Sequence, residues 1–314
     1  MSTVTEPFVH PALFYGTTEE YLAGCLAFVR EGLERGEPVA VAVPSHNLRL
    51  IEAALGEDAG RVRFLDMQQA GRNPGRIIPG VLRAFADAHP DAPRVRLIGE
   101  PIWAGRSETE YPACAQHEAL INHAFTGREV SILCPYDTTR LDERSLADAY
   151  VTHPVVIDGS GRREESPAYD PDGLVARYNL PLPEAAGGIR LTYEYDADSL
   201  PTARHRSVAE AAQMGLAGER LDDFALIVAE LTTNSVVHGG GRGTLRLWSE
   251  DGSLVCEVRD AGLLTDPLAG RRPAGRDQIG GRGLLTVNLL ADLVRMHTVG
   301  YGTTIRVYLE LPAA

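Results

Sequence analysis

Between residues 21 and 134 the chain alternates helical runs with short, largely apolar strands. Helical spacing covers 21–36, 48–55, 77–88 and 108–125, and the strands fall at 39–43, 62–65, 95–98 and 130–134. Apolar strands separated by helices require cover on both faces, so this half predicts a three-layer α/β domain built on a parallel sheet. Ligands of such sheets bind beyond the carboxyl ends of the strands. Here those ends carry Gly99, Glu100 and Pro101, and Cys134, Pro135, Tyr136 and Asp137.

The pattern changes after residue 155. A stretch rich in Gly, Pro, Ser and charge follows, and 314 residues suit two domains. The expected division is a first domain over 1–155, a linker over 156–187 and a second domain over 188–314.

In the second domain, apolar residues at helical spacing predict a helix over 219–238 (Leu221, Phe224, Ala225, Leu226, Ile227, Val228, Leu231). Glu230, Asn234 and His238 stand at i, i+4 and i+8, hence on one face of it. A carboxamide oxygen on a helix wall suits Mg²⁺, which takes hard oxygen ligands and keeps several waters. A carboxylate one turn away is placed to accept a proton. The alternating segment 254–260 ends at Asp260, an acceptor for an exocyclic amine, and Gly262 lets a base approach the backbone. Gly280, Gly281, Arg282 and Gly283 precede an apolar helical run from Leu284, an arrangement that aims backbone N–H groups at phosphate. Thr303 and Thr304 open a closing strand within reach of an adenine edge or an ordered water. Each signal also has a plain reading: a solvated helix face, a turn cap, a helix start without ligand. Four in this order favour a nucleotide site.

These residues resemble the N, G1, G2 and G3 boxes of the GHKL ATPase superfamily, and 188–314 resembles the anti-sigma-factor serine/threonine kinases of actinobacteria. The resemblance implies a two-layer α/β sandwich of GHKL (Bergerat) type, bound ATP and Mg²⁺, Glu230 as general base and Asn234 as Mg²⁺ ligand. It further implies a homodimer, with a sigma factor or a STAS-type antagonist as partner. The sequence departs from the family where Leu264 replaces the second glycine of DxGxG. A histidine kinase would need a phosphoacceptor helix. Its one candidate, His205, has no acidic neighbour following it and reads as a surface residue of the domain's first helix.

Residues 9–155 resemble the MEDS-type sensory domain, related to the RecA/KaiC-like fold. The match rests on 10–15, on Gly32, Gly36 and Glu37, on Gly99 and Glu100, on Glu118 with Asn122, on 134–137, and on His153 with Pro154. Its implied role is sensing, with His10, Tyr15, Glu100 and Tyr136 as candidate pocket residues. A His five positions from a Tyr equally suits a structural hydrogen-bonded pair.

Composition narrows the partners. A net charge of −13 argues against nucleic acid. All 30 basic residues are Arg, so no P-loop of GxxxxGK[ST] type exists and any phosphate must be met by Arg or backbone amides. No run of eighteen apolar residues and no signal segment is seen, so a cytoplasmic protein is expected. Cys25, Cys114, Cys134 and Cys256 stand far apart without CxxC, which predicts buried thiols and no zinc site. Two readings remain open: a sensor-controlled kinase acting on Ser/Thr of an antagonist, and a nucleotide-dependent switch that captures a partner without catalysis. An atypical histidine kinase is a weaker third.

Overall fold

The computed structural model describes residues 7–185, 187–273 and 281–312. The chain divides into two units, Met1–Tyr178 and Asn179–Ala314.

The first unit runs β1 (Phe8–Val9), β2 (Pro11–Tyr15), α1 (Thr18–Glu34), β3 (Val39–Val43), α2 (Ser45–Leu55), β4 (Val62–Asp66) and α3 (Met67–Ala70). It continues through α4 (Ala84–Asp87), β5 (Val95–Gly99), α5 (Tyr111–Ala124), β6 (Val130–Asp137), α6 (Glu143–Thr152), β7 (Val155–Ile157), β8 (Arg163–Glu165) and α7 (Pro171–Arg177). The sheet order is β4-β3-β5-β6-β2-β7-β8, with β1 also on β6. Its pairings are parallel except β7 with β8. Helix α1 starts at Thr17, whose side chain accepts from the Glu20 N–H. It buries Tyr21, Cys25, Val29 and Leu33, one residue per turn, against Val39, Val41, Val43, Ile98 and Leu133.

Three expectations need correction. Strand β2, between β6 and β7, was not foreseen, because its five residues follow no helical run that would mark them as a crossover unit. The helix expected over 77–88 begins as a π-helical stretch, Ile78–Arg83, around Pro79, which has no N–H to donate, and turns α at Ala84. The segment read as a linker is structured. Its first part forms β7, β8 and α7, with Asp148 accepting from the Tyr178 hydroxyl and from Arg177 at 2.9 Å. Its last part belongs to the second unit.

That unit contains β9 (Leu191–Asp196), α8 (Leu200–Gln213), α9 (Gly218–His238), β10 (Arg242–Glu250), β11 (Ser253–Asp260), α10 (Gly283–Leu290), β12 (Leu293–Val299) and β13 (Gly302–Glu310). The sheet is antiparallel throughout, in the order β12-β13-β11-β10-β9. Phe224, Ile227, Val228 and Leu231 of α9 pack against Leu245, Leu247, Cys256, Val258, Ile305 and Val307. Leu226, expected in that stripe, is 53% exposed, since a single residue step turns it about 100° around the helix. The opposite sheet face holds a buried ion pair, Arg306 Nη2 to Glu257 at 2.6 Å, with Arg306 also over the Trp248 ring. Residues 179–183 close that face: Arg306 donates to the Pro183 carbonyl at 2.7 Å, and Asn179 donates to that of Thr298 at 2.7 Å. The four cysteines are free and buried. Among the described residues no helix is long and apolar enough to cross a membrane.

Candidate functional site

In the second unit a cavity of about 500 Å³ opens where the C-terminal ends of α9 and β11, the start of β13 and the N-terminal end of α10 converge. Asn234, His238, Asp260, Gly262, Gly281, Gly283, Leu284 and Thr303 line it. These residues come from four stretches separated in sequence, so the antiparallel sheet does the gathering. Asp260 and Thr303 are register partners on β11 and β13.

The wall is held by hydrogen bonds the side chains make to one another. Ser235, next to Asn234 on α9, donates to Asp260 Oδ2 at 2.7 Å, and the Gly262 N–H donates to Oδ1 at 2.9 Å. The Leu264 N–H donates to Thr298 Oγ1 at 3.2 Å, and Thr303 Oγ1 donates to the Gly262 carbonyl at 2.8 Å. Thr298 and Thr303 hydroxyls lie 2.9 Å apart, with Thr298 the donor because the Thr303 proton is already used. Gly262 is required by close approach: a Cβ there would stand 2.6 Å from the His238 carbonyl oxygen. The end of α9 thereby rests on the turn after β11. Gly283 has the same logic, since its Cβ would lie 2.5 Å from Glu230 Oε2 and 3.3 Å from Asn234 Nδ2. The first turn of α10 is thus seated on the Glu230–Asn234 face.

Not every candidate faces the cavity. Thr304 lies between Thr303 and Ile305, both of which line the cavity, and strand alternation turns it to the other side of the sheet. Glu230 is half-buried against Gly283 and does not line the cavity, and neither does the exposed Arg282, which precedes α10. Gly280 lies outside the described residues. His205 is exposed on α8, the first helix of the unit. Sequence reasoning missed the segment 263–273, which supplies the remaining wall through Leu264, Asp266, Leu268, Ala269 and Arg272 among others. Its signal was the leucine that replaces a family glycine: Leu264 lines the cavity as part of an apolar wall.

In the first unit a cavity of about 730 Å³ lies at the carboxyl ends of β2, β3, β5 and β6, lined by Tyr15, Asn47, Glu100, Trp103, Asp137 and Arg140 among others. Asn47 Nδ2 donates to both Glu100 oxygens, at 3.0 and 2.9 Å, and the Tyr21 hydroxyl donates at 3.3 Å. Burial raises the Glu100 pKa to about 8 against these donors. Burial also pushes up the Tyr15 phenol. The four candidate pocket residues are not together. Tyr15 and Glu100 share this cavity, whereas His10 and Tyr136 are buried apart from it, beside His153, with ring centroids 4.1 and 5.5 Å from that residue.

Residues 9–154 match the family model of MEDS, the methanogen/methylotroph DcmR sensory domain. Residues 193–309 match that of the histidine kinase-like ATPase domain. The chain therefore carries a MEDS domain followed by a histidine kinase-like ATPase domain. No curated protein matches it. Among solved structures it is similar to a chain of the SiaB–SiaC complex from Pseudomonas aeruginosa, with TM-score 0.32 and 14% identity over 38% of this chain and 89% of that one. A KaiC-like protein from Pyrococcus horikoshii OT3 gives TM-score 0.35 and 19% identity over 49% and 71%. The Acinetobacter baumannii histidine kinase AdeS gives 0.24 and 10% over 45% and 74%.

Proposed function

We propose, for a chain that joins a MEDS domain to a histidine kinase-like ATPase domain, that the second domain binds ATP with Mg²⁺. In this reading it transfers the γ-phosphoryl group to a Ser or Thr of a STAS-type anti-sigma antagonist, acts as a homodimer, and answers a signal received by the first domain. The observation that carries the nucleotide reading is the convergence of Asn234, Asp260, Gly262, Gly283 and Thr303 on one cavity of about 500 Å³. That volume lies within the roughly 300–1,000 Å³ of small-molecule sites.

The residues present fit the group. Asn234 offers a hard oxygen for Mg²⁺. Asp260 keeps acceptor capacity for an exocyclic amine after its bonds to Ser235 and Gly262, since each carboxylate oxygen has two lone pairs. Gly262 lets the turn after β11 close against the end of α9, which keeps Asp260 and His238 together on the cavity wall. When bound, MgATP supplies the transferable phosphoryl group and the cation that neutralises its charge. The chain's part would be to position: α10 would offer the N–H groups of its first turn to the phosphates, and Glu230, packed against Gly283, would be the group to take the proton of an incoming hydroxyl.

A second reading, a switch that holds nucleotide and captures a sigma factor or antagonist without transfer, draws on one observation. Glu230 does not line the cavity, so its use as a base requires Gly283 to move off it. Calorimetry with MgATP followed by incubation with labelled ATP and candidate antagonists separates the readings. Asn234→Ala is expected to lose Mg²⁺-dependent affinity while keeping its fold, and unchanged affinity refutes the site. Acid-stable label on a partner supports the kinase. Tight binding without label supports the switch, and acid-labile label on the chain itself supports a histidine kinase.

A further inference from the structure

Away from both cavities, four side chains of the MEDS domain meet in the interior. His10 stands between β1 and β2, Glu118 is on α5, Cys134 on β6, and His153 follows α6. None exposes more than 1% of its surface. One ligand atom from each lies within 4.8 Å of all the others. Glu118 Oε2 is 3.4 Å from His10 Nε2 and 3.3 Å from His153 Nε2, and Cys134 Sγ is 3.4 Å from His10 Nε2.

The proton positions make this grouping unusual. The Asn122 amide nitrogen donates to the carbonyls of Thr152 at 2.9 Å and Ala119 at 3.1 Å, which fixes its oxygen toward His10. His10 Nδ1, 3.1 Å from that oxygen, must therefore carry a hydrogen. His153 Nδ1 lies 2.9 Å from both the Ala149 carbonyl, which only accepts, and the Thr152 hydroxyl, whose own proton goes to the Asp148 carbonyl at 3.0 Å; in that arrangement Nδ1 carries a hydrogen too. With neutral rings, both Nε2 atoms then present lone pairs to the Glu118 carboxylate, and the hydrogen-bond donor beside it is the weakly donating Cys134 thiol. Acceptors facing acceptors in a dry interior are costly without a positive charge between them.

We propose that His10 Nε2, Glu118, Cys134 Sγ and His153 Nε2 hold one divalent transition-metal ion of the zinc class. With metal–ligand distances of about 2.0–2.3 Å, the edge of a tetrahedral site is about 3.4 Å, which three of the ligand pairs already match, while the others lie within 4.8 Å. Imidazole and thiolate donors select Zn²⁺ or Co²⁺ over Mg²⁺ or Ca²⁺. Four protein ligands and full burial describe a closed, structural site, and Asn122 and the Ala149 carbonyl are the outer partners that orient the two rings. The ion ties the start of β2, α5, β6 and the end of α6 together.

The test is a titration of the metal-stripped full-length chain with Co²⁺, followed by displacement with Zn²⁺. One equivalent should bind with a thiolate-to-cobalt charge-transfer band, and the band should vanish in Cys134→Ser. Asn122→Ala should weaken binding by about 10–100-fold. X-ray absorption on the Zn²⁺-loaded wild-type chain should read one sulfur and three nitrogen or oxygen scatterers, a decision independent of whether any variant folds. No stoichiometric uptake by the wild-type chain, a band that survives Cys134→Ser, or a shell without sulfur overturns the site.

Discussion

In the ATPase domain Asn234, Asp260 and His238 around the cavity are half-buried or exposed, and they stand at or near the ends of a helix and a strand. In the MEDS domain His10, Glu118, His153 and Glu100 expose at most 4% of their surface. The two sheets explain the difference. An antiparallel sheet with helices on one face leaves an open rim where helix and strand ends meet. A parallel sheet covered on both faces desolvates whatever polar group it includes. Chemistry on a rim can be removed without touching the core, whereas in the covered sheet a polar residue is part of the packing.

Glu230→Gln should show the largest effect and sharpen this contrast: phosphoryl transfer falls by roughly 10²–10⁴-fold while the thermal midpoint stays where it was. A turnover equal to wild type would reduce Glu230 to a structural role. Arg306→Ala probes the exception, because the ATPase domain also has a buried pair with both side chains at most 2% exposed. Removing the guanidinium strands Glu257, at a cost of about 3–5 kcal/mol in denaturant unfolding. A loss below 1 kcal/mol would show that water reaches that face.

Gly262→Ala should cost about 1–3 kcal/mol, because its Cβ meets the His238 carbonyl and the Cα of Gly239, which are backbone and cannot swing away. Nucleotide affinity should fall with stability, so an alanine variant matching wild type in both measurements would remove the close-approach argument. At Glu100 the expected effect is a slope with pH and not a fixed loss. Its folded pKa of about 8 lies above the value of 4.5 for an unperturbed carboxyl, so the folded state holds the proton more tightly. Stability from this group is complete below pH 4.5 and is lost as pH rises toward 8, by at most about 1.4 kcal/mol per unit. Glu100→Gln should flatten the profile of thermal midpoint between those limits, and an unchanged slope would place the carboxylate in water.

Much of the ATPase cavity was legible beforehand because its residues come in short runs with turn and helix-start chemistry. Asn234 falls one turn after Glu230, Gly262 two residues after Asp260, and Gly283 just before an apolar helix. The 263–273 wall was not legible, since an irregular segment has no period. In the MEDS domain the strands of continuous apolar character gave the sheet, and Glu100 at a strand end gave one wall of its cavity. The division between His10 with Tyr136 and Tyr15 with Glu100 was invisible, as was the cluster of His10, Glu118, Cys134 and His153. No CxxC or HxxxH spacing joins those four, whose sequence separations run from 16 to 143 residues.

What the sequence determined is therefore periodic or local: the sheet types, the order of the units, and the residues set within one or two turns of each other. Such features depend on backbone geometry that repeats along the chain. The tertiary structure alone decided which face of β13 meets the cavity, where residues 156–185 pack, and which acids and histidines share a dry interior. Those depend on strand order and crossover connections, which place residues more than a hundred positions apart at hydrogen-bond distance, and no local pattern of side chains encodes that placement.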